Sequence, residues 1–276
     1  MDWNIDFIRY EDFKEHVRNT IRNYGEKIVP YDLKKFNSNI IDPVKMVFDK
    51  SVYKESWETL ISNEIFRQRD KSNTNEIGYF HQRIFEYIAG CHVPDNGKEG
   101  GWDVVYNSSE GYILGRGNCV HKIYVEMKNK HNTMNSSASA KTYIKMQHQL
   151  LEDDDCACFL VEAIAKRSQN IIWKTTVDRQ KVSHIRIRRV SIDKFYEIVT
   201  GEEDAFFKIC MVLPDVVNEV LSEAEIDASL EDTVYREIRE AAAKIDGITD
   251  EASIVLSMYA LGFKTYSGFK DYFSAE

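Results

Sequence analysis

Residues 123–165 read "IYVEMKNKHNTMNSSASAKTYIKMQHQLLEDDDCACFLVEAIA", and the order of patterns within them decides the fold. The opening alternates: Ile123, Val125 and Met127 take one side of an extended strand, and Tyr124, Glu126 and Lys128 take the other. The middle, "NSSASAKTYIKMQHQLLEDD", has helical spacing. Ser136 or Ser137 is placed to cap it, and Ala140, Ile144, Leu150 and Leu151 are expected to form its apolar stripe. The end, "CACFLVEAIA", is a short continuous apolar run, as a strand covered on both faces requires. Strand, helix and strand in that order make a β-α-β unit, which places two strands parallel inside an α/β core.

Outward from this unit the pattern changes twice. The first ninety residues are mostly helical in pattern. Trp57, Leu60, Ile61 and Ile65 recur at helical spacing, as do Ile77, Phe80, Ile84 and Ile88, with Gly90 as the stop. Around the unit lie further strands: "WDVVY" and "GYILG", joined by a Gly/Ser turn, then "NIIWKTTV" and "HIRIRRVSI". The helices "DKFYEIVTG", "EDAFFKICMVLPDVVNEVL" and "TDEASIVLSMYALG" follow. One α/β domain over 1–276 is expected, with a mixed central sheet flanked by helices as its core at 91–210. Helical additions then occupy 1–90 and 211–276.

Composition narrows the class. No apolar run approaches the ~18 residues of a membrane span. The start, "MDWNIDFIRYEDFKEH", is acidic and polar, unlike a signal peptide, so a bacterial cytoplasmic location is expected. The cysteines are Cys91, Cys119, Cys156, Cys158 and Cys210; their odd number and the lack of CxxC predict free thiols. Cys91, His92, Cys119 and His121 do not have the spacing of a zinc module. The formal net charge of -9 argues against a nucleic-acid partner until its distribution is read. Residues 166–189 hold eight Lys or Arg against one Asp, which suggests one face made for a polyanion. A sheet edge guarded by charge is the plainer alternative. Trp173 lies inside this basic segment and is the aromatic set apart from ordinary packing.

Acids interrupt the strands. Glu126 and Lys128 share a face, roughly 7 Å apart along the strand. Asp103, in "GWDVVY", lies opposite Trp102 and Val104, and the twenty-two residues between Asp103 and Glu126 leave room for a turn and an extra strand before the chain returns. Two carboxylates and an ammonium can then converge. Carboxylates bind a hard cation such as Mg²⁺, and a nearby lysine can orient a water, a set suited to phosphodiester hydrolysis. An exposed Glu/Lys pair on a strand is also ordinary. What raises this one is the glycine-rich lead-in before Asp103 and the polar run "NKHNTMNSS" that enters a helix N-terminus. Candidate DNA contacts are Lys130, His131, Asn132, Asn135, Ser136 and Lys141 in that run, and Arg179, Lys181, Arg186 and Arg188 in the basic strands, the last two sharing a strand face.

Asp103, then Glu126-Met127-Lys128 on a strand, then a helix and "CFLVEAIA", resembles the PD-(D/E)xK restriction-endonuclease-like core. By that resemblance the acidic pair and lysine fall on Asp103, Glu126 and Lys128, with Trp102 where the motif's proline would stand. Some members add an acid from the preceding helix, and Glu86 holds that place; a surface or capping glutamate is the competing reading. The stretches "YVEMKNKHNTMNSSA", "FLVEAIAK" and "FYEIVTGEEDAF", over roughly residues 100–210, are similar to type II restriction endonucleases that cut GGNCC. The resemblance implies Mg²⁺-dependent cleavage of double-stranded DNA by a homodimer, with a cognate DNA methyltransferase acting on the same site. A structure-specific repair nuclease on the same core and a non-catalytic DNA-binding module are the rival readings. An HNH nuclease, suggested by "KHN" at Lys130–Asn132, lacks the further histidines that its metal unit needs.

Overall fold

The computed structural model describes residues 3–25, 30–95, 97–115, 117–223, 231–246 and 251–263. In chain order its helices are α1 (Tyr10–Gly25), α2 (Leu33–Ser38), α3 (Pro43–Tyr53), α4 (Trp57–Arg83), α5 (Ser136–Glu152), α6 (Ile192–Thr200), α7 (Ala205–Glu223), α8 (Val234–Asp246) and α9 (Glu251–Phe263). The strands are β1 (Cys91–His92), β2 (Val104–Ile113), β3 (Cys119–Lys130), β4 (Cys156–Ile164), β5 (Asn170–Val177) and β6 (Gln180–Ser191). They form one mixed sheet in the order β1-β2-β3-β4-β6-β5. The pairs β3-β4 and β4-β6 are parallel, and the outer pairs are antiparallel. The β-α-β unit therefore forms as its pattern predicts, and it occupies the centre of the sheet.

Alternation sorts the two faces. Val104, Ile123, Val125, Met127, Phe159 and Val161 share a buried cluster with Phe85, Phe195, Tyr196 and the inner residues of α7. Cys158, Leu160 and Ile187 point the other way, beneath Tyr143 and Met146 of α5. Strand β4 is thus covered on both faces, as its unbroken apolar run requires. Each such fully buried Leu, Val or Phe contributes roughly 1.5–3 kcal/mol.

The packing corrects three readings. "WDVVY" and "GYILG" are not two strands: β2 runs through both, and the chain returns along β3 as a hairpin with no extra strand between. The register shifts between Asn107 and Tyr112, so the Gly/Ser residues form an irregularity within one strand. Gly111 sits there at φ +78°, and a side chain at that position would collide with the Cys119 sulfur. The buried residues of α5 are Tyr143 and Met146, with Leu150 packed behind them, whereas Ile144 is 48% and Leu151 86% exposed. The helix turns its bulkiest side chains into the space over Cys158, Leu160 and Ile187, and its cap is Asn135, whose Oδ1 accepts the Ala138 N–H at 2.8 Å. Trp173 is buried edge-on against Tyr143, with ring centroids 5.3 Å apart, so it belongs to the core.

The chain gathers into two compact units, Met1–Arg22 with Asn75–Glu225 and Asn23–Thr74 with Ile226–Glu276. This grouping cuts across the consecutive regions expected from sequence, because α4 contributes to both. The sheet lies in the first unit. The second is helical, built around Phe36, Trp57, Ile61, Ile238 and Met258. Its α2 and α3 are capped by Asp32 and Asp42. The start of "TDEASIVLSMYALG", residues 249–250, lies outside the described residues. Among the described residues no helix is long and apolar enough to cross a membrane.

Candidate active site

The β2–β3 hairpin brings the acids together. Val104 pairs with Val125, so one step before β2 the register places Asp103 opposite Glu126. The Asp103 N–H donates to the Val125 carbonyl at 2.9 Å, and its Oδ2 accepts the Met127 N–H at 2.6 Å. Gly100 and Gly101, at φ +74° and +67°, let the chain turn sharply enough to bury Trp102 just before the acid.

Glu126 holds two ammonium groups. Its Oε1 accepts from Lys128 Nζ at 2.8 Å and its Oε2 from Lys145 Nζ at 2.9 Å. Lys145 rises from α5, donates also to the Gly101 carbonyl at 2.7 Å, and lies 4.0 Å from the centre of the Trp102 ring. Gln149, one turn further along α5, accepts the Trp102 indole N–H at 3.0 Å. The sequence pattern does not single out Lys145, because the apolar positions dominate the reading of α5. The available signal was its i, i+4 spacing from Lys141 and Gln149, a polar stripe beside the buried one.

The two carboxylates are tuned in opposite directions. Burial pushes the Asp103 carboxyl up to about 6; the neighbouring Glu126 adds to this, while the Met127 amide, Lys128 and Lys145 pull it back. Burial also raises Glu126, but its bonds to Lys128 and Lys145 and their charges outweigh it and hold that carboxyl below its usual value. Glu86 lies in the single turn of 3-10 helix at Ile84–Tyr87, where its Oε2 accepts the Val93 N–H at 2.7 Å. It lines a cavity of about 350 Å³ with Tyr79, Gln82, Arg83, Trp102 and Asp103. The structure thus brings Asp103, Glu126 and Lys128 together and sets Glu86 on the wall of the adjoining cavity.

Among the described residues no group of three or more His, Cys, Asp or Glu forms a ready metal cage. Asp103 and Glu126 still offer hard oxygen donors from facing strands. A buried carboxyl with a raised pKa beside a second carboxylate is a pair that a divalent cation would stabilise. Such a site fits an ion that keeps much of its own water.

Residues 5–222 match the Eco47II restriction endonuclease family. The chain belongs to that family. It is 30% identical over 218 residues to the type II restriction enzyme Sau96I of Staphylococcus aureus, covering 76% of this chain and 78% of that one. It is 28% identical over 230 residues to the type II restriction enzyme Eco47II of Escherichia coli, covering 79% and 89%. The protein is therefore a type II restriction endonuclease, a site-specific deoxyribonuclease whose substrate is DNA, and the family implies a divalent metal cofactor.

The structure divides the endonuclease's candidate DNA contacts. Lys130, Asn132, Ser136 and Lys141 are exposed at the end of β3 and along the start of α5. His131 is tied through its backbone: its N–H donates to the Ile164 carbonyl at 3.0 Å and its carbonyl accepts from Arg189 at 2.8 Å. The Asn135 side chain serves as the α5 cap. Arg179 and Lys181 are exposed at and beside the two-residue turn joining β5 to β6, where Asp178 and Arg179 have φ +47° and +66°. That hairpin meets the first turn of α5 through Ser139 Oγ and Thr175 Oγ1, 2.9 Å apart. Arg186 and Arg188 share a face as expected, but it is the face opposite Glu126. Arg188 pairs with Phe159 in the ladder and bonds Asn170 through its side-chain and main-chain oxygens, while Arg186 bonds the Asp154 carbonyl. These two arginines are not brought to the carboxylate pair.

Proposed function

We propose that Asp103, Glu126 and Lys128 form the centre at which this endonuclease hydrolyses double-stranded DNA, with Mg²⁺ as the ion and GGNCC as the site. The observation that carries the reading is the Asp103 carboxylate seated on the Met127 amide, directly across the hairpin from Glu126 and its bound Lys128. Asp103 and Glu126 would hold the ion through oxygens, with Glu86 placed to add a third acid from across the cavity. When bound, Mg²⁺ supplies a water of lowered pKa and offsets charge developing on phosphorus. Lys128 Nζ, fixed by Glu126 Oε1, is positioned to orient the attacking water and to donate a hydrogen bond to a phosphate oxygen.

Specificity follows from what surrounds this centre. The exposed Lys130, Asn132, Ser136 and Lys141, and the hairpin with Arg179 and Lys181, present donors suited to phosphates and guanine edges. The chain contains no internal repeat, so a two-fold site such as GGNCC is matched most simply by a homodimer that brings one centre to each strand. The central base pair, on the axis, then needs no contact. A cognate methyltransferase would act on the same site and need not bind this chain.

Digestion of a DNA of known sequence, with Mg²⁺ and again with EDTA, tests the reading. Discrete fragments with both strands cut at every GGNCC, only with the metal, are expected. Ends that follow DNA structure rather than sequence would overturn the assigned site, and cutting undiminished by EDTA would overturn the metal. Lys128→Ala should bind the duplex and leave it intact.

A further inference from the structure

We infer that Lys145 is a positioning residue that competes with the metal for Glu126: its ammonium holds the carboxylate in place, and its charge limits how tightly the cation binds. The inference rests on the centre proposed above. Both oxygens of Glu126 already carry an ammonium, and the side chain is only 16% exposed, so a cation can reach it only by sharing or displacing one of the two. The two lysines differ in what else holds them. Lys128 stands two residues along the same strand and meets Glu126 alone among its hydrogen bonds described above. Lys145 reaches in from α5, and its Nζ also has the Gly101 carbonyl at 2.7 Å and the Trp102 ring at 4.0 Å. It can release Glu126 Oε2 and remain anchored at two points, so Lys145 is the group that gives way.

The same anchors explain why it matters to the reaction. Gly101 and Trp102 immediately precede Asp103, so this single ammonium ties α5 to both carboxylate-bearing segments, the lead-in to Asp103 and strand β3. Removing it should do two things of opposite character. The metal loses a competing positive charge next to its ligand, and the ligands lose the tether that fixes their spacing. A residue with a merely structural role would weaken metal binding when replaced; only a competing charge makes binding tighter on removal.

The test titrates Mn²⁺ into the full-length protein, followed by the ion's paramagnetic resonance signal, and separately measures single-turnover cleavage at saturating Mg²⁺. Lys145→Met keeps the stem over the indole and removes the charge. Mn²⁺ should bind it at least about fivefold more tightly, from relief of charge repulsion at short range. Its cleavage rate at saturating metal should fall by about tenfold or more, because the ligands are less well oriented. Lys145→Gln, which keeps a donor for the Gly101 carbonyl, should tighten Mn²⁺ likewise, and Lys145→Arg should leave Mn²⁺ affinity near the parent's. Unchanged or weaker Mn²⁺ binding in both neutral variants, or parental cleavage at saturating metal, overturns the inference. Glu126→Gln run alongside separates the two readings. If it binds Mn²⁺ and cuts like the parent, the proposed centre itself fails. If it loses both while Lys145→Met matches the parent, only the role of Lys145 fails.

Discussion

Two glutamates on neighbouring strands project from the sheet face that α5 covers, and their surroundings differ. Glu126 on β3 is held by two lysines, one on each oxygen, and keeps 16% of its side chain exposed. Glu162 on β4, the ladder partner of Lys128, is 1% exposed and held by Arg189, whose Nε donates to Oε1 at 2.9 Å. Its Oε2 has no hydrogen-bond partner among the described residues. Arg189 also bonds the His131 carbonyl and so fixes the start of the polar loop after β3. The difference teaches what each carboxylate is for. Two Arg189 N–H groups converge on the one oxygen Oε1, and the guanidinium is fixed in turn on the His131 carbonyl, whereas the ammonium groups on Glu126 are compact single charges. Glu162 is tied into the scaffold, and on the reading proposed above Glu126 is the carboxylate that exchanges partners.

Replacements at the two positions should separate these roles. Glu126→Gln should cut cleavage by on the order of 10³-fold, about 4 kcal/mol of transition-state stabilisation, in single-turnover assays. Its urea midpoint should stay close to the parent's. A large drop in stability with cleavage retained would make Glu126 the structural member and break the comparison. Arg189→Ala should do the reverse first: it leaves Glu162 buried without its partner and should cost about 3–5 kcal/mol in urea unfolding. A loss under about 1 kcal/mol would mean that Glu162 does not depend on Arg189 in the fold.

Acid should expose a further buried group that stands apart from both glutamates. His16, packed on Phe80, has its pKa pushed down to about 4 by burial; its hydrogen bond to the Phe80 carbonyl opposes this, and Arg83 and His81 add to it. A depressed histidine pKa means the unfolded chain binds more protons between about 6.5 and 4. Stability is therefore full above about 6.5 and falls toward pH 4, by up to about 3 kcal/mol from this group. Its ring resonances, followed by NMR, should show no protonation above pH 5. A titration near 6.5 in the folded protein would remove His16 from the acid limb, leaving that limb to the carboxylates and to His81, which burial also pushes down to about 4.

The contrast between tied and free charge recurs along the basic segment and sharpens the comparison with the smallest effects. Arg188→Ala, which removes two bonds to Asn170, should cost about 1–3 kcal/mol of stability and leave the salt dependence of DNA binding nearly unchanged. Arg179→Ala with Lys181→Ala should change stability by less than about 0.5 kcal/mol. If each holds a phosphate, the slope of log affinity against log salt should shrink by about 1.8 per chain. Equal slopes in the two variants would mean that the hairpin tip, too, points away from the duplex.

How much could be read beforehand differs from residue to residue. The strand faces of β3 and the burial of β4 follow from alternation and apolar run length, both local properties, whereas the meeting of Asp103 with Glu126 is set by the β2–β3 hairpin register, without the extra strand that chain distance allowed. The polar stripe of α5 was legible as spacing but not as contact. Ile144 was expected to be buried and Tyr143 fills the place, because two helical phases both offered apolar residues, and the shape of the space over Cys158 and Leu160 chose between them. Arg186 and Arg188 were correctly placed on one face, yet alternation says nothing about which face.

By itself the sequence determined the β-α-β unit, the order of its elements and the residue types able to hold a cation, since periodicity and side-chain chemistry are written along the chain. Tertiary structure alone decided which charges meet. Lys145 reaches Glu126 because α5 folds back over β3, and Arg188 is turned away because β6 enters the ladder in the phase that sets it beside Phe159. Electrostatic energy depends on distances between residues far apart in sequence, and those distances exist only once the sheet has closed its register.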